Sequence, residues 1–261
     1  MFSEVRFAGL FFWVAVFSGC YSCSDRTSGT HVIKINRVYV LTDEEPVTVA
    51  PTKVSADTSY LEFLFSGYGL TDIRELDSSI HVDLRYAGNN NFTGINMYDG
   101  LRRGYLTCEM AIKLCNAQHH LKKHHPDLSL MVLDAARPLH IQQMMWDSLD
   151  MPDQQKKRYL TPPEATSLHN YGCAVDVTLV TDSTGAELDM GTGFDEFVLL
   201  SQPRHEEWFV DRGDLSEQVL YNRQLLRHVM NVSGLRGIST EWWHYSFCSR
   251  RQAAALYPLI Q

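Results

Sequence analysis

Two short segments carry residue types suited to metal-assisted hydrolysis. In SLHNYGCAVD, residues 167–176, His169 stands seven positions before Asp176, across Gly172. In EWWHYSF, residues 241–247, Glu241 stands three positions before His244. A catalytic zinc ion needs three protein ligands, usually imidazoles and a carboxylate, one open position, and a nearby base that does not bind the metal. Two imidazoles and two carboxylates suffice for such a set. On a single helix His169 and Asp176 would lie two turns apart, too far for ligand bonds near ~2 Å. Gly172 and the β-branched run after it argue against a helix; a chain turning there would return Asp176 beside His169 at the start of a strand. On that strand Asp176 and Thr178 face one way and Val175, Val177 and Leu179 the other. An aspartate among valines needs a partner, because burying a lone carboxylate is costly. Glu241 must lie where the chain enters its strand if it is to reach the same place. Spacing alone leaves a second reading open, in which the histidines are core residues, Asp176 caps a strand and Glu241 is a surface carboxylate.

Helices and strands of both kinds are needed to position these groups. TCEMAIKLCNAQHHLKKHH puts Met110, Ala111, Leu114, Cys115 and Leu121 on one helical stripe, with Thr107 as N-cap and Pro126 as stop. LSLMVLDA and CAVDVTLV read as buried strands, IHVDLRYA as an alternating strand and EWWHYSF as a final strand. ARPLHIQQMMWDSL predicts a helix with Pro138 in its first turn, and SEQVLYNRQLLRHVMNVSG one that Gly234 ends. The elements alternate without a strict βαβ rhythm, so the fold class is α+β: a mixed domain with a small antiparallel sheet and packed helices. It is expected over residues 69–261, preceded by a tether, residues 21–68, with one short strand in HVIKINRVYVL.

The chain has 261 residues and a formal net charge of -8, enough length for a sizeable core and the wrong sign for sequence-independent nucleic-acid binding. Residues 1–20 hold Arg6, an apolar run from Phe7 to Phe17, and a Ser18-Gly19-Cys20 ending. The run is too short to span a bilayer and has the form of a signal-peptide core. The small-small-cysteine ending resembles a bacterial lipoprotein cleavage signal with Cys20 as acceptor. An exported, periplasmic or cell-envelope protein is therefore expected, touching a membrane only through a lipid anchor. Six cysteines do not organise such a chain. Cys108 and Cys115 lie about 10 Å apart along a helix and cannot bridge each other. Cys173 and Cys248 lie near the two motifs and could meet, and buried free thiols are expected.

The two opening segments also match, as whole patterns, the S-x-H-x-x-G-x-A-x-D and E-x-W-H signatures of zinc D,D-peptidases. DLRYAGNNNFTG, DAARP and MGTGFDEF fit the dipeptidase branch in particular. Over about residues 70–248 the chain resembles the VanX-type D-alanyl-D-alanine dipeptidases, whose fold is hedgehog-like. The resemblance implies one zinc ion per chain held by His169, Asp176 and His244, with Glu241 as catalytic base. It implies that Arg137 stabilises the oxyanion and that Tyr86, Ser167 and Asp195 contact the dipeptide. Asp195 would suit the free ammonium that distinguishes a dipeptide from the end of a longer stem. The enzymatic alternative is a D,D-carboxypeptidase trimming peptidoglycan stems; the non-enzymatic one is a zinc-stabilised cell-wall binding module. HHLKKHH, residues 119–125, reads as a solvated cationic helix end rather than a second metal site.

Overall fold

The computed structural model describes residues 31–35, 38–42, 59–157 and 159–261. It divides into two compact units, residues 1–55 and 56–261. The expected leader and Cys20 lie outside the described residues. In the first unit β1 (His31–Ile35) and β2 (Val38–Thr42) pair antiparallel, two strands where one was expected.

The second unit begins earlier than the boundary drawn at residue 69. Helix α1 (Tyr60–Gly67) falls inside the stretch read as tether, and its Leu61 and Phe65, four apart on one face, are buried in the main core. Strand β3 (Thr71–Asp72) pairs with β5 (Tyr105–Leu106), and the short helix α2 (Ile73–Leu76) follows β3 directly. Of the expected strand IHVDLRYA only β4 (His81–Val82) forms. The alternation there reflects burial of Ile80, Leu84 and Tyr86 rather than a ladder, and residues Arg85–Ala87 form a 3₁₀ turn that carries Tyr86 inward. Helix α3 (Cys108–His124) is as predicted, with the Thr107 hydroxyl accepting from the Met110 N–H. Its last turns hold the HHLKKHH segment, where His124 is exposed.

Strand β6 (Leu128–Asp134) leads into α4 (Leu139–Ser148), with Pro138 at the cap position, and then α5 (Asp153–Lys156). After β7 (Ala174–Thr181) come α6 (Glu206–Asp211), α7 (Glu217–Val232), β8 (Arg236–Gly237), β9 (His244–Ser246) and α8 (Arg250–Leu256). The five-stranded sheet runs β4-β6-β7-β9-β8, with β4 parallel to β6 and every other pair antiparallel. Helices α3 and α7 pack on each other, and α3 also packs on β6. Cys173 and Cys248 meet in a small apolar cluster with Tyr171 and Ala253, as unbridged cysteines. Cys108, by contrast, is disulfide-bonded, against the expectation of free thiols.

A register shift between Val132 and Asp134 brings Asp134 opposite Asp176, and Asp176 opposite His244. Three chemistry-bearing residues thus form one row across three strands. The turn at Gly172 makes the row accessible to His169. Gly172 sits at φ 65°, in the left-handed region, and a Cβ there would meet Thr107 N and Leu70 Cδ2, both at 3.1 Å. Gly172→Ala is therefore expected to cost about 1–3 kcal/mol. The measurement is a denaturant midpoint that falls at unchanged m-value; an unchanged midpoint would mean that the turn relaxes freely.

Candidate active site

The sequence-predicted residues His169, Asp176 and His244 come together. They are the one group among the described residues whose possible ligand atoms converge, all within 4.8 Å of one another. His169 lies in the 3₁₀ turn Leu168–Tyr171, which Ser167 caps through its hydroxyl. The ring Nδ1 lies 2.7 Å from the Ala135 carbonyl oxygen, so it donates there and leaves Nε2 as a bare acceptor. His169 Nε2 is 3.2 Å from His244 Nδ1 and 3.4 Å from Asp176 Oδ1, and His244 Nδ1 is 3.0 Å from Asp176 Oδ1. Lone pairs this close repel unless a proton or a cation lies among them. Four ligands around a small divalent ion at about 2.0–2.1 Å sit about 3.3–3.4 Å apart, and the observed separations are of that size. The donor set therefore fits a metal ion. Burial works against the Asp176 carboxylate, but the two imidazoles outweigh it and hold its pKa well below the usual carboxylate range.

Arg137 follows β6 and is buried. Its Nε donates to Asp134 Oδ2 at 2.9 Å, Nη2 donates to the same carboxylate, and Nη1 donates to Gln142 Oε1 at 2.8 Å. The guanidinium stacks over the Tyr86 ring, 5.3 Å from its centroid, and Nη2 lies 4.0 Å from Asp176 Oδ2. Burial disfavours its charge, but Asp134, followed by Tyr98, Tyr86 and Asp176, overrides this and raises its pKa. The result is a fixed cation beside the three candidate ligands.

Glu241 lies just ahead of β9, where the chain enters the strand, and is half-buried. Burial pushes its carboxyl up to about 7; His244 opposes the shift, while Asp176 and Asp195 add to it. Asp195 comes from the long connection between β7 and α6 and receives a hydrogen bond from the Tyr86 hydroxyl. Burial raises the Asp195 carboxyl to about 8, against the Tyr86 hydrogen bond and with the help of the Asp176 charge. An ammonium brought against Asp195 would favour its carboxylate and release the proton. Its backbone lies at φ 58°, a left-handed conformation uncommon outside glycine. Phe194 and Trp243, with ring centroids 5.5 Å apart, form an apolar wall beside these groups, and Phe194 lies 6.1 Å from the Tyr86 ring.

Thus Tyr86, Arg137, Asp195 and Glu241 share one environment with the three candidate ligands. Ser167 is seen holding the His169 turn. Asp134 and Gln142 were missed. Asp134 is fully buried and joins Arg137 to Tyr98, whose hydroxyl donates to its other oxygen. A lone aspartate closing the apolar run LSLMVLD was the signal available for it.

The family described as D-ala-D-ala dipeptidase matches residues 66–258. A D-alanyl-D-alanine dipeptidase of Escherichia coli (strain K12) is 33% identical over 195 residues, covering 73% of this chain and 89% of that protein. One from Enterococcus faecium is 28% identical over 192 residues, covering 68% of this chain and 90% of that protein. A solved structure of the vancomycin resistance D,D-pentapeptidase VanY, in complex with Zn(II), covers 59% of this chain and 79% of its own. At 16% identity and a TM-score of 0.35 that overlap is too loose to bear on activity.

Proposed function

The chain belongs to the D-ala-D-ala dipeptidase family of peptidases, and from that membership we propose that it is a zinc dipeptidase converting D-alanyl-D-alanine and water to two molecules of D-alanine. The observation that carries the reading is the convergence of His169, Asp176 and His244 at ligand-edge distances beside a carboxyl whose pKa is about 7. Two imidazoles and one carboxylate suit zinc in its catalytic coordination, with one position left open. Bound there, zinc supplies Lewis acidity for the scissile carbonyl and lowers the pKa of a water to about 7.

The chain's own residues do the rest. Glu241 as carboxylate takes a proton from the attacking water and hands it to the leaving amine. Arg137, held rigid by Asp134 and Gln142, offers fixed positive charge to the developing oxyanion. Asp195, supported by the Tyr86 hydroxyl, receives the substrate ammonium, and Ser167 completes the dipeptide contacts. Because Asp195 is buried and burial raises its carboxyl to about 8, a neutral N-terminal amide would leave it protonated and forfeit the ion pair that an ammonium makes, which selects free dipeptide over a longer stem.

The test is D-alanine release by the purified, zinc-loaded full chain from D-Ala-D-Ala and from a stem pentapeptide. Chelator-sensitive cleavage of the dipeptide alone is expected, with one zinc per chain and loss of both metal and activity in Asp176→Asn. Cleavage of the pentapeptide instead would make the protein a carboxypeptidase, and zinc binding without turnover would make it a binding module. The same proposal includes export with lipid attachment at Cys20, which would place the enzyme among products of wall turnover rather than the cytoplasmic precursor pool. Membrane fractionation and palmitate labelling, both lost in Cys20→Ser, check that part.

A further inference from the structure

The Asp195-bearing connection is clamped at two points, one on either side of Asp195, by one side chain that the chemistry does not use. Arg223, on α7, is 1% exposed. Its Nε donates to the Met190 carbonyl at 2.8 Å and its Nη1 to the Leu200 carbonyl at 2.9 Å. The guanidinium therefore bridges the segments that precede and follow Asp195. Its charge is balanced by Glu206, 3.4 Å away, which also pairs with Arg227 at 2.6 Å. Burial lowers the Arg223 pKa and Glu206 counters it.

A second set of contacts fixes the loop relative to the catalytic base. The Thr192 hydroxyl lies 3.5 Å from Arg223 Nη2. It accepts from Ser201 Oγ at 3.0 Å and from the indole N–H of Trp242 at 2.9 Å, and Trp242 is the residue after Glu241. Gly191 fits this junction because a Cβ would meet Leu215 Cδ1 at 2.6 Å and Val219 Cγ1 at 2.9 Å. Helix α7, Arg223 and Thr192 thus tie the ammonium acceptor to the segment bearing the base. The strained φ of Asp195 is what such over-determination permits.

Resting on the dipeptidase reading above, we infer that Arg223 is a positioning residue that fixes substrate length, by holding Asp195 at a set distance from Glu241 through the Met190, Leu200 and Thr192 contacts. A free dipeptide spans that distance with its ammonium on Asp195; an N-blocked or longer peptide does not. Arg223→Lys cannot donate to both carbonyls in the same geometry. Thr192→Val keeps the volume and removes the hydroxyl junction.

The experiment measures kcat and KM for D-Ala-D-Ala and for N-acetyl-D-Ala-D-Ala in zinc-loaded wild type, Arg223→Lys and Thr192→Val. Hydrogen exchange over residues 189–202 is followed alongside. In Arg223→Lys, KM for the free dipeptide is expected to rise about tenfold or more with a much smaller change in kcat. Preference over the acetylated peptide should fall by a similar factor, and exchange should quicken in the loop while β7 and β9 stay protected. Thr192→Val should move each readout the same way by less. Wild-type KM, preference and exchange in folded variants would overturn the inference. So would activity falling only in step with the folded fraction. A wild type inactive on D-Ala-D-Ala would instead overturn the dipeptidase reading, with the exchange data still deciding whether Arg223 holds the loop.

Discussion

Replacing Glu241 by glutamine is expected to lower kcat on D-Ala-D-Ala by about 10²–10⁴-fold, the range for loss of a positioned general base. Zinc content and KM should change little, because Glu241 is not among the three converging ligand atoms. In the metal-free protein burial sets its carboxyl at about 7, well above an ordinary glutamate. A base must be ionised to act, so activity is present above the pKa and is lost as pH falls through it. A divalent cation beside Glu241 favours the carboxylate, so the acidic limb of kcat/KM in the loaded enzyme should lie below 7. The same shift has an opposite effect on stability. A carboxyl whose folded pKa exceeds its unfolded value destabilises the fold increasingly as pH rises from about 4 to about 7, and by a constant amount above that. Metal-free Glu241→Gln should therefore be more stable than metal-free wild type at pH 8, by at most about 4 kcal/mol. That gain should vanish below about pH 4. A site that gains stability and loses turnover from one change is the expected signature of a catalytic carboxyl. Turnover within tenfold of wild type would place the base elsewhere.

The convergence of His169, Asp176 and His244, with Glu241 near them, was legible in the two motifs taken whole, although spacing alone left a second reading open. Gly172 forces the turn that returns Asp176 to His169, and Glu241 lies three residues ahead of the short strand that starts at His244. Helix α3 was legible because its cap, stripe and stop lie within one run of sequence. Asp134 was not legible as a site residue. Its place opposite Asp176 follows from the irregularity between Val132 and Asp134, and a bulge leaves no trace in an alternating pattern. The Tyr86–Asp195 contact joins positions 109 apart, and the Arg223 clamp reaches from α7 back to Met190. Such contacts are set by how α7 packs, not by either residue's neighbours. Strand β4 was read too long because buried alternation and a paired ladder look alike when Tyr86 turns inward. Helix α1 was read as tether because eight residues with two core contacts give too short a period to stand out.

Arg137→Ala should damage both stability and turnover, and the two losses can be separated. Asp134 is fully buried and stands opposite Asp176 in the strand register, so two carboxylates face each other across one ladder. Arg137 makes that tolerable by donating to Asp134 from Nε and Nη2 while lying 4.0 Å from Asp176. Removing it leaves an uncompensated buried charge, a loss of about 3–5 kcal/mol. On the proposed mechanism it also removes the fixed charge offered to the oxyanion, for a further expected fall of about 10²–10³ in kcat. Adding Asp134→Asn to Arg137→Ala should recover part of the unfolding free energy and none of the turnover, because the amide needs no counter-charge and offers none to the substrate. Arg137→Lys should keep most of the stability and still lose turnover, since an ammonium cannot hold Asp134 and Gln142 together as the planar fork does. Urea unfolding and steady-state kinetics on the three variants test this. Recovery of activity together with stability in the double variant would mean that Arg137 only neutralises Asp134. Stability recovered alone means that the guanidinium acts on the reaction itself, with Asp134 and Gln142 there to aim it.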